Sequence, residues 1–442
     1  MRAVSSLAAV FSVRLLGLFM IYPVFADYAR HLAGATSFKT GLALGIYGLS
    51  QGILQIPFGL LSDKLGRKPV IIVGLILFGI GSAVAALSST IDGIIIGRVL
   101  QGAGAVGSVI LALVADLTGE ESRTKAMAVV GITIGGSFML ALVTGPVLAG
   151  LIGVPGIFWL MVALALIGIA ITRFVVPRPR ILAVHRDAET VPALLRSIIG
   201  NTELLRLDFG VFALHAMLTA SFLVVPVLLH TSVGVDSRNQ WMVYLPALIV
   251  SVAVMVPAIV IAEKHRRMKA VFIGAVAALA VSQCLFLGAA APLRVVAAVT
   301  LFFAGFNLME ASLPSLITKT APPAAKGTAA GVFSSSQFLG IFVGGVAGGW
   351  IQQSFGADAV FIASLGMALI WLVVAATMRQ PSYLSSRLIR IAAERLAEPA
   401  QLAERLRRVP GVAEAVVIPE EGLAYLKVDS RTYDAAAVQS LL

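Results

Sequence analysis

Long apolar runs broken by short charged turns dominate the chain. Residues 6–28, 41–61, 69–88, 92–115, 126–151 and 157–176 each approach the ~20 residues that a helix needs to cross a hydrocarbon core. A stretch containing Pro and several Arg, 176–206, follows and is too charged to lie in lipid. A second set then runs 207–230, 241–262, 270–290, 294–317, 327–352 and 359–378. The pattern predicts twelve membrane-spanning helices, six on either side of a linker. The start of the chain is only superficially like a secretory leader. Its apolar run is too long, holds Arg14 and lacks a small-residue cleavage site, so it is read as a retained first span.

Beyond Met378 the runs become too short to span. Arg387–Ala392 alternates like a strand, and Pro399–Val409 has the pattern of an amphipathic helix that Pro410-Gly411 ends. Val412–Ile418 and Leu423–Val428 read as a strand pair around Pro419-Glu420-Glu421-Gly422, and Asp434–Leu442 as a closing helix. This βαββα order predicts a small α+β domain of ferredoxin-like shape. The chain is thus expected to be an all-α membrane protein with a soluble α+β tail. Its predicted parts are an N-terminal bundle 1–177, a linker 178–206, a C-terminal bundle 207–380 and the tail 381–442.

Composition agrees with the pattern. Of 442 residues, 59% are apolar and only 12% charged, which excludes a water-soluble globule. The net charge of +11 is explained by where the basic residues fall. Alternate loops hold Lys64, Arg67 and Lys68; Arg123 and Lys125; Arg178, Arg180, Arg186, Arg196 and Arg206; Lys264, Arg266, Arg267 and Lys269; Lys319 and Lys326. The opposite loops hold only Arg30, Lys39, Arg238 and Arg294. The positive-inside rule places the first set, and both termini, in the cytoplasm. No aromatic-rich basic surface accompanies the charge, so nucleic acid is not an expected partner. The single cysteine, Cys284, excludes an intrachain disulfide or a thiolate metal cluster.

The two halves match at an offset of about 200 residues, as expected of a duplication. Asp63-Lys64-Leu65-Gly66-Arg67 aligns with Glu263-Lys264-His265-Arg266-Arg267, and the Gly145–Gly150 stretch with Gly344–Gly349. Such duplicated halves place a binding cavity between them, near the membrane midplane.

Gly59-x-x-x-Asp63-Lys64-x-Gly66-Arg67-Lys68 closely resembles the signature between the second and third helices of the major facilitator superfamily. The likeness covers residues 6–378. Ile56-Pro57-Phe58-Gly59-Leu60, Phe306-Asn307-Leu308-Met309-Glu310 and the tail resemble the YajR-like subgroup, whose members are similar to drug/proton antiporters. The resemblance implies that Asp63 faces the start of the eleventh span near Lys326. It also implies that Arg67 pairs with Asp116, holding the halves closed on the cytoplasmic side. Physically, Gly59 would permit close helix approach. A carboxylate at Asp63 suits the positive end of a neighbouring helix. Arg98-Val99-Leu100-Gln101-Gly102-Ala103-Gly104 resembles a second superfamily motif, whose arginine is associated with proton coupling. The bland alternative is an arginine snorkelling to the outer surface. Gly145, Pro146 and Gly150 resemble the exporters' helix-bending motif in part, with Ala141 and Ala149 where glycine is usual; a Gly-Pro pair that only permits packing fits equally.

Ionisable residues inside spans are functional candidates by their cost in lipid. Glu310 is the preferred proton carrier, since a buried carboxyl titrates nearer neutral pH, and His215 is the second. Structural hydrogen bonding is the alternative for both. Asp208 is read as a solvated helix terminus. Tyr47, Gln51, Gln55, Gln101, Asn307 and Gln337 are candidate cavity residues, suited to amphiphilic or weakly polar solutes, although each alone also fits helix packing. No metal site or cofactor is expected. The tail has the shape of heavy-metal-associated domains without their CxxC, leaving a regulator as its candidate partner. No GxxxxGK[ST] loop and no nucleophile–base arrangement is present, which argues against ATP drive and against an enzyme. The expected activity is secondary transport of a small molecule across the inner membrane by alternating access, as proton-coupled efflux. The alternatives are a proton-coupled uptake permease or a membrane sensor that signals through the tail.

Overall fold

The computed structural model describes all residues except 1, 119, 178–193, 323–324, 381–383, 392–397, 420–421, 430 and 442. Most of the expected linker, with Arg178, Arg180 and Arg186, therefore lies outside the described residues, as do Ala392 and Leu442 at the expected ends of two tail elements.

The apolar runs fold as helices. Span 1 is Arg2–Met20 continued by Tyr22–Ala29; span 2 is Ser37–Leu65; span 3 is Arg67–Leu87. Span 4 is Ile91–Ala103 continued by Gly107–Asp116, so the expected single helix is broken at residues 104–106. Spans 5 and 6 share one helical run, Glu120–Ala170. Its apolar part and extension, Val129–Val175, hold 47 residues, about 70 Å of helix and more than twice a hydrocarbon core. The break comes at Gly153, whose φ of 71° and ψ of 169° are open essentially to glycine alone. Span 7 is Thr202–Leu228, span 8 Trp241–Lys264, span 9 Met268–Phe286, span 10 Pro292–Thr320, span 11 Lys326–Phe355 and span 12 Ala357–Ala376. Among the described residues eleven helical stretches are long and apolar enough to cross a membrane. Gly153 divides one of them into two, giving twelve crossings.

Span 7 starts earlier than expected because the Asn201 side chain caps it, accepting from the amides of Glu203 and Leu204. Arg206 and Asp208 are consequently inside the helix. The run stays helical through Gly145-Pro146 and leaves helical geometry at Gly153.

The halves are built alike. Span 1 packs on span 5, and span 7 on span 11. A Cβ on Gly145 would lie 2.4 Å from the Met20 carbonyl oxygen, and one on Gly344 2.2 Å from that of Ala216. Only glycine allows such backbones to meet. Span 2 and span 11 join the halves in the same way, with Gly41, Gly45 and Gly48 against Gly345, Phe342 and Phe338.

The tail folds as β1 (Ser385–Arg390), a helix (Pro399–Arg407), β2 (Val412–Ile418), β3 (Leu423–Val428) and a helix (Ala435–Leu441). The three strands form an antiparallel sheet in the order β1-β3-β2. Leu402, Leu406, Val412, Ala415, Leu426, Val428 and Val438 form its core.

Candidate functional site

At the end of the molecule bearing most of the basic loops, Gly66 takes φ 92° and lets span 2 turn sharply into span 3. The turn swings Arg67 back under the helices, where it is 2% exposed. Its Nε donates to Asp116 Oδ2 at 3.0 Å and its Nη1 to Ser62 Oγ at 2.8 Å and to Asp63 Oδ1. One guanidinium thus ties the end of span 2 to the end of span 4, using the fork geometry that lysine lacks. Lys68 Nζ donates to the Val176 carbonyl at 2.6 Å, placing a cation on the carbonyl end of span 6. Lys64 is exposed. Gly59 is not where helices meet most closely: a Cβ there would lie 3.6 Å from Ser108 Oγ, an ordinary contact. The close approach falls further along span 2, at Gly41 and Gly45.

Span 2 runs antiparallel to span 11 from that glycine contact to Gln55, whose Nε2 donates to Ser335 Oγ at 3.0 Å and to the Gly331 carbonyl at 3.4 Å. At the opposite end, Ser237 Oγ donates to Asp27 Oδ2 at 2.7 Å, and a Cβ on Gly150 would lie 2.7 Å from Arg238 Cβ. The halves therefore touch from that end inward.

Inside the first half, Tyr47, Gln51 and Gln101 do not stand apart but meet two arginines. Arg14 Nη2 donates to the Tyr47 hydroxyl at 2.9 Å and to Gln51 Oε1. Arg98 is 1% exposed and does not snorkel: its Nε donates to the Ala43 carbonyl at 3.2 Å and its Nη1 to Gln101 Oε1 at 2.9 Å. Its guanidinium lies over the Tyr47 ring, 4.9 Å from the centroid. Gln101 in turn donates to Ser82 Oγ at 2.8 Å. Gly102 lets span 4 reach this position, since a Cβ there would sit 2.4 Å from the Tyr47 carbonyl oxygen.

Inside the second half, spans 7, 10 and 11 converge on His215. Its Nδ1 lies 3.1 Å from the Val211 carbonyl oxygen, which can only accept, so Nδ1 carries the proton. Nε2 then accepts from the Gln337 amide at 2.8 Å and lies 3.6 Å from Glu310 Oε2. His215 is 1% exposed, whereas the Glu310 side chain keeps 28%. Asn307 faces another way, donating to Ser251 Oγ on span 8 at 2.5 Å. Asp208 is not a solvated terminus: it is 5% exposed, and neither carboxyl oxygen has a hydrogen-bond partner.

Between the two polar clusters the halves meet through aromatic rings. Phe138 of span 5 lies 4.9 Å from Phe19 and 5.2 Å from Phe306 of span 10, whose ring is 5.7 Å from that of His215. Sequence reasoning noted Arg14 inside an apolar run but gave it no place in the site; its shared contact with Tyr47 needs the fold to be seen. Gly145 and Pro146 are buried in the packing of span 5, while Gly150 lies at its outer, exposed end.

Comparison with known proteins agrees with this architecture. The Major Facilitator Superfamily profile matches residues 7–344 and 207–413, and the YajR YAM domain profile matches 389–442. The chain is 43% identical over all its 442 residues to the Inner membrane transport protein YajR of Escherichia coli, covering 97% of that protein. It is 33% identical over 141 residues, 31% of its length and 34% of the relative's, to a class H tetracycline resistance protein of Pasteurella multocida. Among solved structures, a mutant of the nucleoside transporter NupG has the same fold, with a TM-score of 0.67 at 14% identity, over 85% of this chain and 99% of that one. The chain belongs to the major facilitator superfamily of membrane transporters and carries a YajR-type YAM domain at its C-terminal end.

Proposed function

We propose that the protein is a proton-coupled exporter of a small molecule, working by alternating access in the inner membrane with both termini in the cytoplasm. The observation that carries the reading is the His215–Glu310–Gln337 cluster. A titratable pair is held between spans 7, 10 and 11, with one member buried and the other partly open. With Nδ1 donating to the Val211 carbonyl, Nε2, which faces Gln337 and Glu310, is the nitrogen at which a proton would be taken. Taking it costs the Gln337 bond and gains the Glu310 carboxylate. Proton arrival therefore alters contacts between span 11 and its neighbours, and span 11 also packs on span 2 of the other half.

The Asp63–Arg67–Asp116 lock would hold one of the two alternating states, with Gly59, Lys64, Gly66 and Lys68 shaping its turn. Arg98 would contribute to coupling. Tyr47, Gln51, Gln55, Gln101, Asn307 and Gln337 would line the path, with Gly145, Pro146 and Gly150 setting the angle of span 5. Residues 1–177 and 207–380 would be the moving halves, 178–206 their linker and 381–442 a cytoplasmic regulatory unit. The named tetracycline resistance relative supports efflux over uptake, as does the partial exporter-like motif on span 5. The test is proton movement in proteoliposomes when candidate solutes are added. Outward solute flux with inward protons, and loss of pH dependence in Glu310→Gln with insertion unchanged, is the expected result. Inward solute flux would mean a permease. Absence of solute-linked flux, with the tail still binding a partner, would mean a sensor.

A further inference from the structure

Two buried cations in the first half lack a partner of opposite charge. Arg14 lies near the middle of span 1 and is 2% exposed; Arg98 on span 4 is 1% exposed. Among the described residues, neither forms an ion pair with a carboxylate. The acidic groups nearest along the chain are committed elsewhere, Asp27 to Ser237 and Asp92 to Lys39, as is Asp116 to Arg67. Glu310, across the interface, faces His215. The partners that Arg14 and Arg98 do have are neutral: Tyr47, Gln51, Gln101 and the Ala43 carbonyl.

A guanidinium is a cation, so burying it without a carboxylate is costly at both positions. Each also keeps one donor unused. Arg14 Nε and Arg98 Nη2 are buried without a hydrogen-bond partner. Buried donors are normally satisfied, and a charged one left bare is costlier than a neutral one. Tyr47 holds the two together, its hydroxyl taking Arg14 and its ring face taking Arg98. An arginine that served only as a fixed charge beside a proton site would need no bare donor. Two such donors around one tyrosine describe a receptor for an anion that arrives and leaves.

We infer that Arg14, Arg98 and Tyr47 form the binding site for the carboxylate of an organic anion, which is the transported solute. A carboxylate offers oxygens matched to guanidinium donors. The solute's apolar body would lie against the rings of Phe19, Phe138 and Phe306, which line the interface between the halves. The inference rests on the transport reading and adds the substrate's charge. It also has an electrical consequence. Outward movement of one monoanion and inward movement of one proton both carry positive charge inward, so such exchange responds to membrane voltage as well as to the pH gradient.

The test uses the purified full chain and a panel of arene and alkyl carboxylates, each paired with its primary amide. Thermal stabilisation is read first, then voltage-dependent flux in proteoliposomes. Carboxylates are expected to stabilise the protein and their amides to do so at least tenfold more weakly by concentration. Arg14→Gln and Arg98→Gln should abolish the carboxylate shift. Arg14→Lys and Arg98→Lys, which keep the charge if the glutamine variants fail to fold, should weaken it at least tenfold by losing the planar fork. Arg238→Gln, at an exposed arginine, should leave it unchanged. Amides that stabilise as well as acids, a panel in which no carboxylate stabilises, or lysine variants with the wild-type shift would each overturn the site. Carboxylate binding without any proton-linked flux would retain the site and remove the coupling reading instead.

Discussion

Asp208 sits six residues inside span 7 with both carboxyl oxygens buried and unbonded. Its neighbourhood offers packing rather than partners; nearby Gly210 lies against the Trp371 indole, whose Nε1 is also without a partner. A carboxyl group in this setting bears its desolvation cost with little return. Asp208→Asn keeps the shape and removes the ionisable oxygen. It is expected to raise the melting temperature by about 2 °C or more, corresponding to roughly 1 kcal/mol. Thermal unfolding in detergent reads this directly, and a lower melting temperature would show that the carboxylate has a partner in the working protein. The residue also shows where the sequence stops being legible. Hydropathy started span 7 at residue 207 and left Asp208 at the water boundary. The Asn201 cap starts the helix at Thr202 and moves Asp208 inward by more than a turn. Arg67 is the opposite case, since it bonds to Asp116, the pairing that the family resemblance implied. Such a motif specifies a turn and its local charges; an orphaned acid depends on which helix happens to cover it.

At the scale of the element, hydrophobic runs located all twelve crossings because lipid leaves the backbone no other choice but helix. What the runs could not show is which helices touch. Span 2 and span 11 meet at Gly41 and Gly345, where a Cβ on Gly41 would come 2.1 Å from the Gly345 carbonyl oxygen. That atom is backbone and cannot rotate away, so the spans must part. Gly41→Ala is expected to cost ~1–3 kcal/mol, as overpacking does, and to slow transport by disfavouring the state in which the halves touch at this end. Gly366→Ala, with nothing within 4 Å of the added carbon, should leave both stability and rate unchanged. Equal effects of the two would mean that the cost lies in helix propensity or lipid rather than in the contact. The same limit explains two other differences. Gly145, read with Pro146 as a bend or a packing pair, serves close approach to span 1, and the chain turns between spans 5 and 6 at Gly153, which had no motif to mark it. The interruption of span 4 at residues 104–106 was likewise hidden, because Gly104-Ala105-Val106 is as apolar as its flanks.

Across the whole molecule, the duplicated loop is where the membrane part meets the tail. Arg266 occupies the place of Gly66 in the second half and likewise takes a positive φ, 54° against 92°. An arginine there carries backbone strain that glycine avoids. Its side chain reaches Asp429 of the tail at 3.4 Å, and its carbonyl accepts from Gln380 Nε2 at 3.0 Å. Beside it, Lys427 Nζ donates to the Thr320 carbonyl at 3.4 Å, at the negative end of span 10. Burial holds the Lys427 amine below its ordinary pKa, with Glu414 opposing the shift. The Asp429 carboxyl is held below the usual carboxylate range, first by the Arg431 amide and then by Arg266. A depressed acid contributes above its unfolded pKa and loses that contribution as pH falls through the depressed value. The Asp429 contact should therefore survive mild acid and weaken below the ordinary carboxylate range. Being half-exposed, it should also weaken with salt. Arg266→Gly separates the two roles of this residue. It should relieve the turn, raising or preserving the stability of the membrane part, while freeing the tail. Hydrogen exchange is expected to rise at the amides of 264–268 and 429–433 in the variant, and in the wild type at high salt. Unchanged exchange at both segments would mean that the tail is held by Lys427 and the chain connection alone, and that the arginine at this strained turn serves the membrane half.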